Sequence, residues 1–581
     1  MFTRSLCYIC VAIALALGFL LIVDQSLGIV RAARQQPTTG NTYVVDSTAD
    51  TVDADVGADP ACADASGHCT LRAAILQANF ASGWDTITLP AGVYVLTRSG
   101  VDDATQVGDL DIVDDLTIQG AGSSVTIIDG NGAATGDRVF QILSSAKNVT
   151  LSGLAIRNGK RVATFDEGGG LYWEGSGSHL SLNGVIFEGN TGYYGGGLYL
   201  NYSTQGDVVD LDHVVVHANT ATAAAGGLGV NFDDFATFDL LNSQVYSNTA
   251  YEGGGVYFQG TPSFGLLSIR IDTSDIYSNT ASLSGGIENR SGNATVPVML
   301  MNSHLYDNHA NFYGGAIGNY GTLVISNTTM SANSASITGT NAANTRGGGL
   351  YNYEGGQIDL EQSTLSGNSA ASGGGIYSEL FIHNGAALTL TNSTLSNNTA
   401  SRDGGGLYAM GGQIKFLNAT LADNAVAVPP GTSYAGLGGG VYLTGSAIVT
   451  TQNTLLASNT HRYGINSPVS DDCYTYFFTL RSLGFNLIQT LANCTLSGTT
   501  FGNITGQDPQ LGPLQNNGGA TLTRAPATSS PAIDHGDSAT CPSIDQRGFR
   551  RPLDGNHDGT ATCDIGAVEI GLPVYLPLLR R

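Results

Sequence analysis

The sequence predicts an all-β protein: a right-handed parallel β-helix, a single-stranded solenoid closed at its N-terminal end by a short capping helix. Two periodic signals and one absence predict it. The first signal is a glycine run followed by an apolar residue and, in most copies, tyrosine. GGGLY, GGGVY or GGGIY stands at 168–172, 195–199, 253–257, 347–351, 373–377, 404–408 and 438–442, with shorter versions at 226–228, 285–287 and 314–317. These ten copies are 26 to 34 residues apart. The second signal is a pair of asparagines six residues apart behind alternating apolar residues, as in FDLLNSQVYSN (238–248), VMLMNSHLYDN (298–308) and LTLTNSTLSNN (388–398). The absence is that of any helical stripe in this region.

Alternation with period two specifies strands. Each repeat has room for about three runs of four or five residues with polar corners. Such a unit cannot bury its apolar face alone. If each repeat makes one turn, the next turn pairs with it in parallel, and ten turns span roughly 50 Å at a strand spacing of about 4.8 Å. Glycine suits the tight corners. The recurring asparagines, Asn242 and Asn248 through Asn453 and Asn459, can bond to equivalent residues one turn away. Neither a Walker pattern nor a strand-to-helix context gives the glycines a phosphate-binding role.

The ends differ from the middle. Residues 1–33 carry Arg4, an apolar run at 8–23 and Ala32–Ala33, the pattern of an export signal or N-terminal anchor. Residues 41–100 form the N-terminal cap and first rungs, with 71–80 as the helix candidate and Leu71, Ala74, Ile75 and Ala78 as its apolar stripe. The β-helix is placed at 101–460, C-terminal rungs and a distinct Pro-, Asp- and Arg-containing region at 461–570, and a sorting tail or last strand at 571–581.

Composition narrows the function. Charged residues make up 12%, and 47 acids against 23 bases give a formal charge of -24. That disfavours nucleic acid as a partner and suits an exported surface. Six cysteines follow the leader: Cys62, Cys69, Cys473, Cys494, Cys541 and Cys563. An even count in an exported chain indicates disulfides. Three local pairs are favoured, because each lies in one segment flanking the repeats, and no CxxC pair or matching histidine spacing supports a metal.

Candidate site residues are sparse. Asp554, Asn556 and Asp558 place oxygens at alternate positions, as at the start of a calcium loop, but the twelfth position is Ile565, which cannot ligate. Asp109, Asp111, Asp114 and Asp115 form another acid-rich run. Arg402 with Asp403 is the best acid–base neighbour pair and Asp272 with Asp275 the best acid pair, although corner charges explain both. His213/His217 and His304/His309 lie in strand regions, not on one helical face. The recurring Tyr172, Tyr199, Tyr257, Tyr351, Tyr377, Tyr408 and Tyr442 form either a ligand-contact stripe or a stacked wall.

CTLRAAILQAN (69–79) resembles the CSLREA-type N-terminal segment of exported bacterial proteins, with Thr70 and Ala73 departing from that pattern. SLGFNLI (482–488), DPQLGPL (508–514), SPAID (530–534), DQRG (545–548) and DIGA (564–567) resemble a choice-of-anchor Q domain. The glycine and asparagine repeats are similar to those of polymorphic outer-membrane proteins in the pectin-lyase-like superfamily. The resemblance implies an exported surface β-helix and brings no catalytic residues. A noncatalytic protein of adhesion, matrix or glycan contact is therefore expected, with a glycan or cell-surface protein as partner. A polysaccharide lyase or glycoside hydrolase is the alternative, which acids and a cation converging on one face would favour.

Overall fold

From Gly40 onward the chain forms one unit. The computed structural model describes residues 39–571, apart from 203–205, 233–235, 261–267, 292–296, 337–343, 354, 380–386 and 433–435. The expected export signal and nearly all of the expected tail lie outside the described residues.

One turn reads Val208–Asp212, Val215–His217, Thr220–Ala224 and Leu228–Phe232. Each strand pairs in parallel with its equivalent in the next turn: Val208 with Thr237, Val215 with Gln244, Thr220 with Thr249, Leu228 with Val256. The four strands build four sheets, here I to IV in chain order, with 16, 15, 12 and 13 strands among the described residues. An antiparallel pair joins Thr460–Tyr463 to Val469–Ser470 at the end of sheet III. The fold is thus the expected parallel β-helix, but each turn carries four strands and not about three. The strand missed is that of sheet III. Its members are rich in small residues (TATAA, TASL, SAAS) and interrupted by register shifts, so they give no clear alternation.

Alternate residues of sheets I, II and IV turn inward and make one apolar column from Tyr43 to Ile488, to which sheet III adds none of its side chains among the described residues. Val209 and Leu211, Val216, and Leu228 and Val230 supply it within one turn, each 0% exposed. The two asparagines of each repeat do different work. The first takes the left-handed conformation at the corner between sheets I and II, with φ 49° at Asn242, Asn302, Asn418 and Asn453; a short polar side chain tolerates this region. The second is fully buried at the corner between sheets II and III. Asn279 donates through Nδ2 to Asn308 Oδ1 (3.0 Å) and to the carbonyl of Val245 (2.9 Å), while its own Oδ1 accepts from the backbone and side-chain nitrogens of Asn248 (both 3.0 Å). This ladder runs from Asn190 to Asn459 with every buried amide satisfied. The glycine run fits against it: a Cβ on Gly255 would stand 2.7 Å from the Gly286 carbonyl and 2.9 Å from Asn279 Nδ2.

Helix α1 spans Leu71–Phe80 and is N-capped by Thr70, whose hydroxyl accepts from Ala73 N at 3.1 Å. The expected stripe of Leu71, Ala74, Ile75 and Ala78 is buried against the open end of the solenoid. Arg72 and Gln77 are buried too, because segments before and after the helix fold over it. Arg72 pairs with Asp50 at 2.6 Å and donates to the carbonyls of Thr105, Gly108 and Asp109.

At the other end, rungs continue to Ile504–Thr505. Residues 506–571 then fold back over the outer face of sheet II. Gln546 bonds Thr364 and Thr394, Thr364 donates to the Leu522 carbonyl, and Thr420 accepts from Ala567 N. Disulfides join Cys62 to Cys69, Cys473 to Cys494 and Cys541 to Cys563, the three local pairs. Among the described residues no helix is long and apolar enough to cross a membrane.

Candidate functional site

The outer face of sheet IV carries the recurring tyrosines. In each strand the first and third residues point into the core, and the second points out. Parallel registration then stacks the second positions: Tyr172 on Tyr199, Tyr351 on Tyr377, Tyr377 on Tyr408, Tyr408 on Tyr442, and Tyr442 on Tyr474. From Tyr351 to Tyr474 the ring centroids lie 4.7 to 5.3 Å apart, with planes within 17° of parallel. Each ring therefore spends its faces on its neighbours. Tyr172, Tyr199, Tyr257, Tyr351 and Tyr377 are buried, whereas Tyr408 and Tyr442 are half-buried. Burial pushes the Tyr442 phenol up to about 12, so these groups stay neutral.

The column is interrupted by Gly229 between Tyr199 and Tyr257, and more widely where Glu288 and Gly318 occupy the tyrosine position between Tyr257 and Tyr351. Glu288 is 1% exposed, and burial raises its pKa. Arg290, two residues along the same strand, holds Glu288 Oε1 at 2.8 Å through Nε and Glu252 Oε1 at 3.0 Å through a terminal nitrogen. The guanidinium carbon lies 4.8 Å over the ring of Tyr320, which stacks on Tyr353 at 3.8 Å. One turn beyond Tyr313, Arg346 holds both oxygens of Glu379 and lies over the rings of Tyr313 and Tyr377. Glu379 also accepts from the Tyr351 hydroxyl. Carboxylates, guanidinium groups and half-exposed rings thus meet at one place in an otherwise repetitive wall. Apart from Glu288, two residues before Arg290, the partners of Arg290 and Arg346 lie 30 to 38 residues away in the chain, so no local pattern shows the cluster. The detectable signal was the departure of GGIENR (285–290) from the GGGLY pattern.

The other candidates are dispersed. Arg402 and Asp403 form a 3.5 Å pair in sheet III. Asp272 ends a sheet I strand and accepts from Asn302, while Asp275 starts a sheet II strand beside His304. His213 pairs with Asp212, and His309 lies 3.0 Å from the Ser334 hydroxyl. His217 heads a second stack on sheet II, through Tyr246, Tyr277 and Tyr306 at 4.7 to 4.9 Å. In the sequence this stack corresponds to the tyrosines of VYSN (245–248), IYSN (276–279) and LYDN (305–308), two residues ahead of each ladder asparagine.

The acids of the acid-rich loops accept from backbone amides, mostly of their own loop. Asp554 accepts from Asp558 N and Gly559 N, Asn556 Oδ1 from Asp558 N, and Asp558 from Thr560 N. Asp111 accepts from Thr105 N, Asp114 from Asp115 N, and Asp115 from Lys147 N and Asn148 N. Among the described residues there is no group of three or more His, Cys, Asp or Glu side chains placed to hold a metal.

No family model matches the chain, and no curated protein does. Among solved structures, one described as "Crystal structure of pectate lyase Pel9A" aligns over 92% of this chain and 97% of its own, at 12% identity and a TM-score of 0.27. A superposition that loose carries no argument about activity.

Proposed function

We propose that this chain is an exported surface or extracellular β-helix protein that contacts polysaccharide along the outer face of sheet IV without cleaving it. One observation carries the reading: the tyrosine column gives way at Glu288 and Gly318 to Arg290, Tyr320 and Tyr353, half-exposed and side by side. Aromatic edges, a guanidinium and carboxylates are the groups that hold sugar hydroxyls and CH faces. The long tyrosine stack serves as the rigid backing for this strip.

Cleavage is the second reading, favoured by the convergence of Glu252, Glu288 and Arg290. A glycoside hydrolase needs two carboxyl groups able to reach the bond from opposite sides. Here Glu288 lies under Arg290, and both acids are engaged by that one guanidinium, an arrangement suited to holding a cation in place.

The deciding experiment is affinity electrophoresis of the purified protein in acidic and neutral polysaccharides, with and without calcium, beside a reducing-end assay. Retardation without new reducing ends, lost in Tyr320→Ala/Tyr353→Ala, is the expected result. Reproducible release of reducing ends overturns the noncatalytic reading in favour of the enzyme.

A further inference from the structure

A cavity of about 390 Å³ lies on the other side of the solenoid, near its N-terminal end. It is lined by Val95, Asp129, Asn131, Asn158, Lys160 and Thr191, together with Ala133 and glycines 132, 159 and 189. It sits at the corner between sheets II and III, one turn before the buried asparagine ladder begins. Gly159 holds the ladder position there, and its amide donates to Asn190 Oδ1 at 2.9 Å. After Gly130 the chain leaves the corner path for the single turn Gly132–Thr135 before rejoining the rungs. The opening is therefore a local departure from the repeat.

The polar groups of the cavity are unevenly committed. Asp129 accepts from Arg157 Nε at 2.9 Å, Asn158 Nδ2 at 3.0 Å and Asn131 N at 3.0 Å, so its charge is already answered. Glu188 stands beside Arg157 in the next turn and does not line the cavity. Lys160 is exposed and makes no ion pair or side-chain hydrogen bond among the described residues, and the Thr191 hydroxyl beside it makes none either. The chain has three lysines and a formal charge of -24. An uncommitted ammonium next to a carboxylate neutralised by Arg157 makes this a local exception on an acidic surface.

We propose that this cavity is a binding site for a sugar unit carrying one anionic group, a carboxylate or a sulfate ester. Lys160 takes the anionic group, Thr191 and the free amide oxygens of Asn131 and Asn158 take ring hydroxyls, and Val95 meets a CH face. The volume lies within the range of small-ligand sites and exceeds that of one monosaccharide, leaving room for a chain to continue outward.

The test is isothermal titration of the full chain with D-glucuronate, glucose 6-sulfate, D-glucose and inorganic sulfate. Saturable binding of glucuronate or glucose 6-sulfate, at least about tenfold tighter than glucose (about 1.4 kcal/mol), supports the site, and which of the two binds identifies the anionic group. Lys160→Gln should weaken that binding at least about tenfold with unchanged Tm, and Thr191→Val by a smaller factor. Equal binding of glucose, equal competition by inorganic sulfate, or full binding by Lys160→Gln overturns the proposal. Tyr320→Ala/Tyr353→Ala should leave glucuronate binding intact, so this site and the sheet IV strip can fail separately.

Discussion

Asn459 donates both its backbone N–H (3.1 Å) and its side-chain amide (2.9 Å) to a single oxygen, Oδ1 of Asp472. The asparagine ladder thus ends on a carboxylate. Its second oxygen accepts from Thr490 N, just past the sheet II strand Leu487–Ile488. An amide at this point would present a donor to Thr490, so the acid closes a ladder of donors that would otherwise have no last acceptor.

Burial lifts Asp472 to about 6. A carboxyl whose folded pKa lies above its unfolded value binds protons more tightly when folded. Its contribution to stability is fully present below about pH 4 and is lost as pH rises to 6. Asp472→Asn should flatten this part of the Tm–pH curve. Differential scanning calorimetry between pH 4 and 7 checks it, and an unchanged slope contradicts the assignment.

Burial also raises Asp111 to about 7 and Asp564 to about 8, the latter reinforced by Glu569. Both act in the same direction as Asp472. Together with self-repulsion at a charge of -24, they predict a higher Tm at pH 5.5 than at pH 8. Asp564→Asn should narrow that difference.

A ladder asparagine and a corner asparagine should respond unequally to substitution. Asn279→Ala removes two donors and an acceptor from a dry ladder, and should cost about 3 kcal/mol in urea denaturation. Asn302, at φ 49° and exposed, makes one side-chain bond, to Asp272. Asn302→Gly should change stability by less than about 1 kcal/mol, because glycine accepts that conformation freely.

Arg290→Met leaves Glu288 buried without its cation. A loss of about 3 kcal/mol is expected at pH 7. The loss should shrink at pH 5, as Glu288, already raised by burial, takes up a proton. Equal losses at both pH values would mean that Arg290 acts through packing alone.

In the loop of Asp554, Asn556 and Asp558 the side chains accept from the loop's own amides. Calcium would have to displace these bonds. Addition of millimolar calcium or EDTA is expected to leave Tm unchanged; a rise of several degrees with calcium would assign a site there.

The repeat legible in the sequence was sufficient for the β-helix, because a period-two run returning every thirty residues can bury its apolar face only against its own copies. Asn242 and Asn248, glycines 253–255 and Tyr257 could each be placed in register from spacing alone. The sheet III strand was not legible, since TATAA and SAAS lack the large inward residues that make alternation visible. Nor was the burial of Arg72, which depends on segments far from it in the chain.

The sequence by itself determined the coil and its corners, because both are set by contacts at one fixed period, and it favoured local cysteine pairs because each pair lies in one segment. Only the tertiary structure decided that Arg290 meets Glu252 and Glu288, that residues 506–571 fold back onto sheet II, and that a cavity opens beside Lys160. Those relationships join non-equivalent positions, and no periodic signal encodes the distance between them.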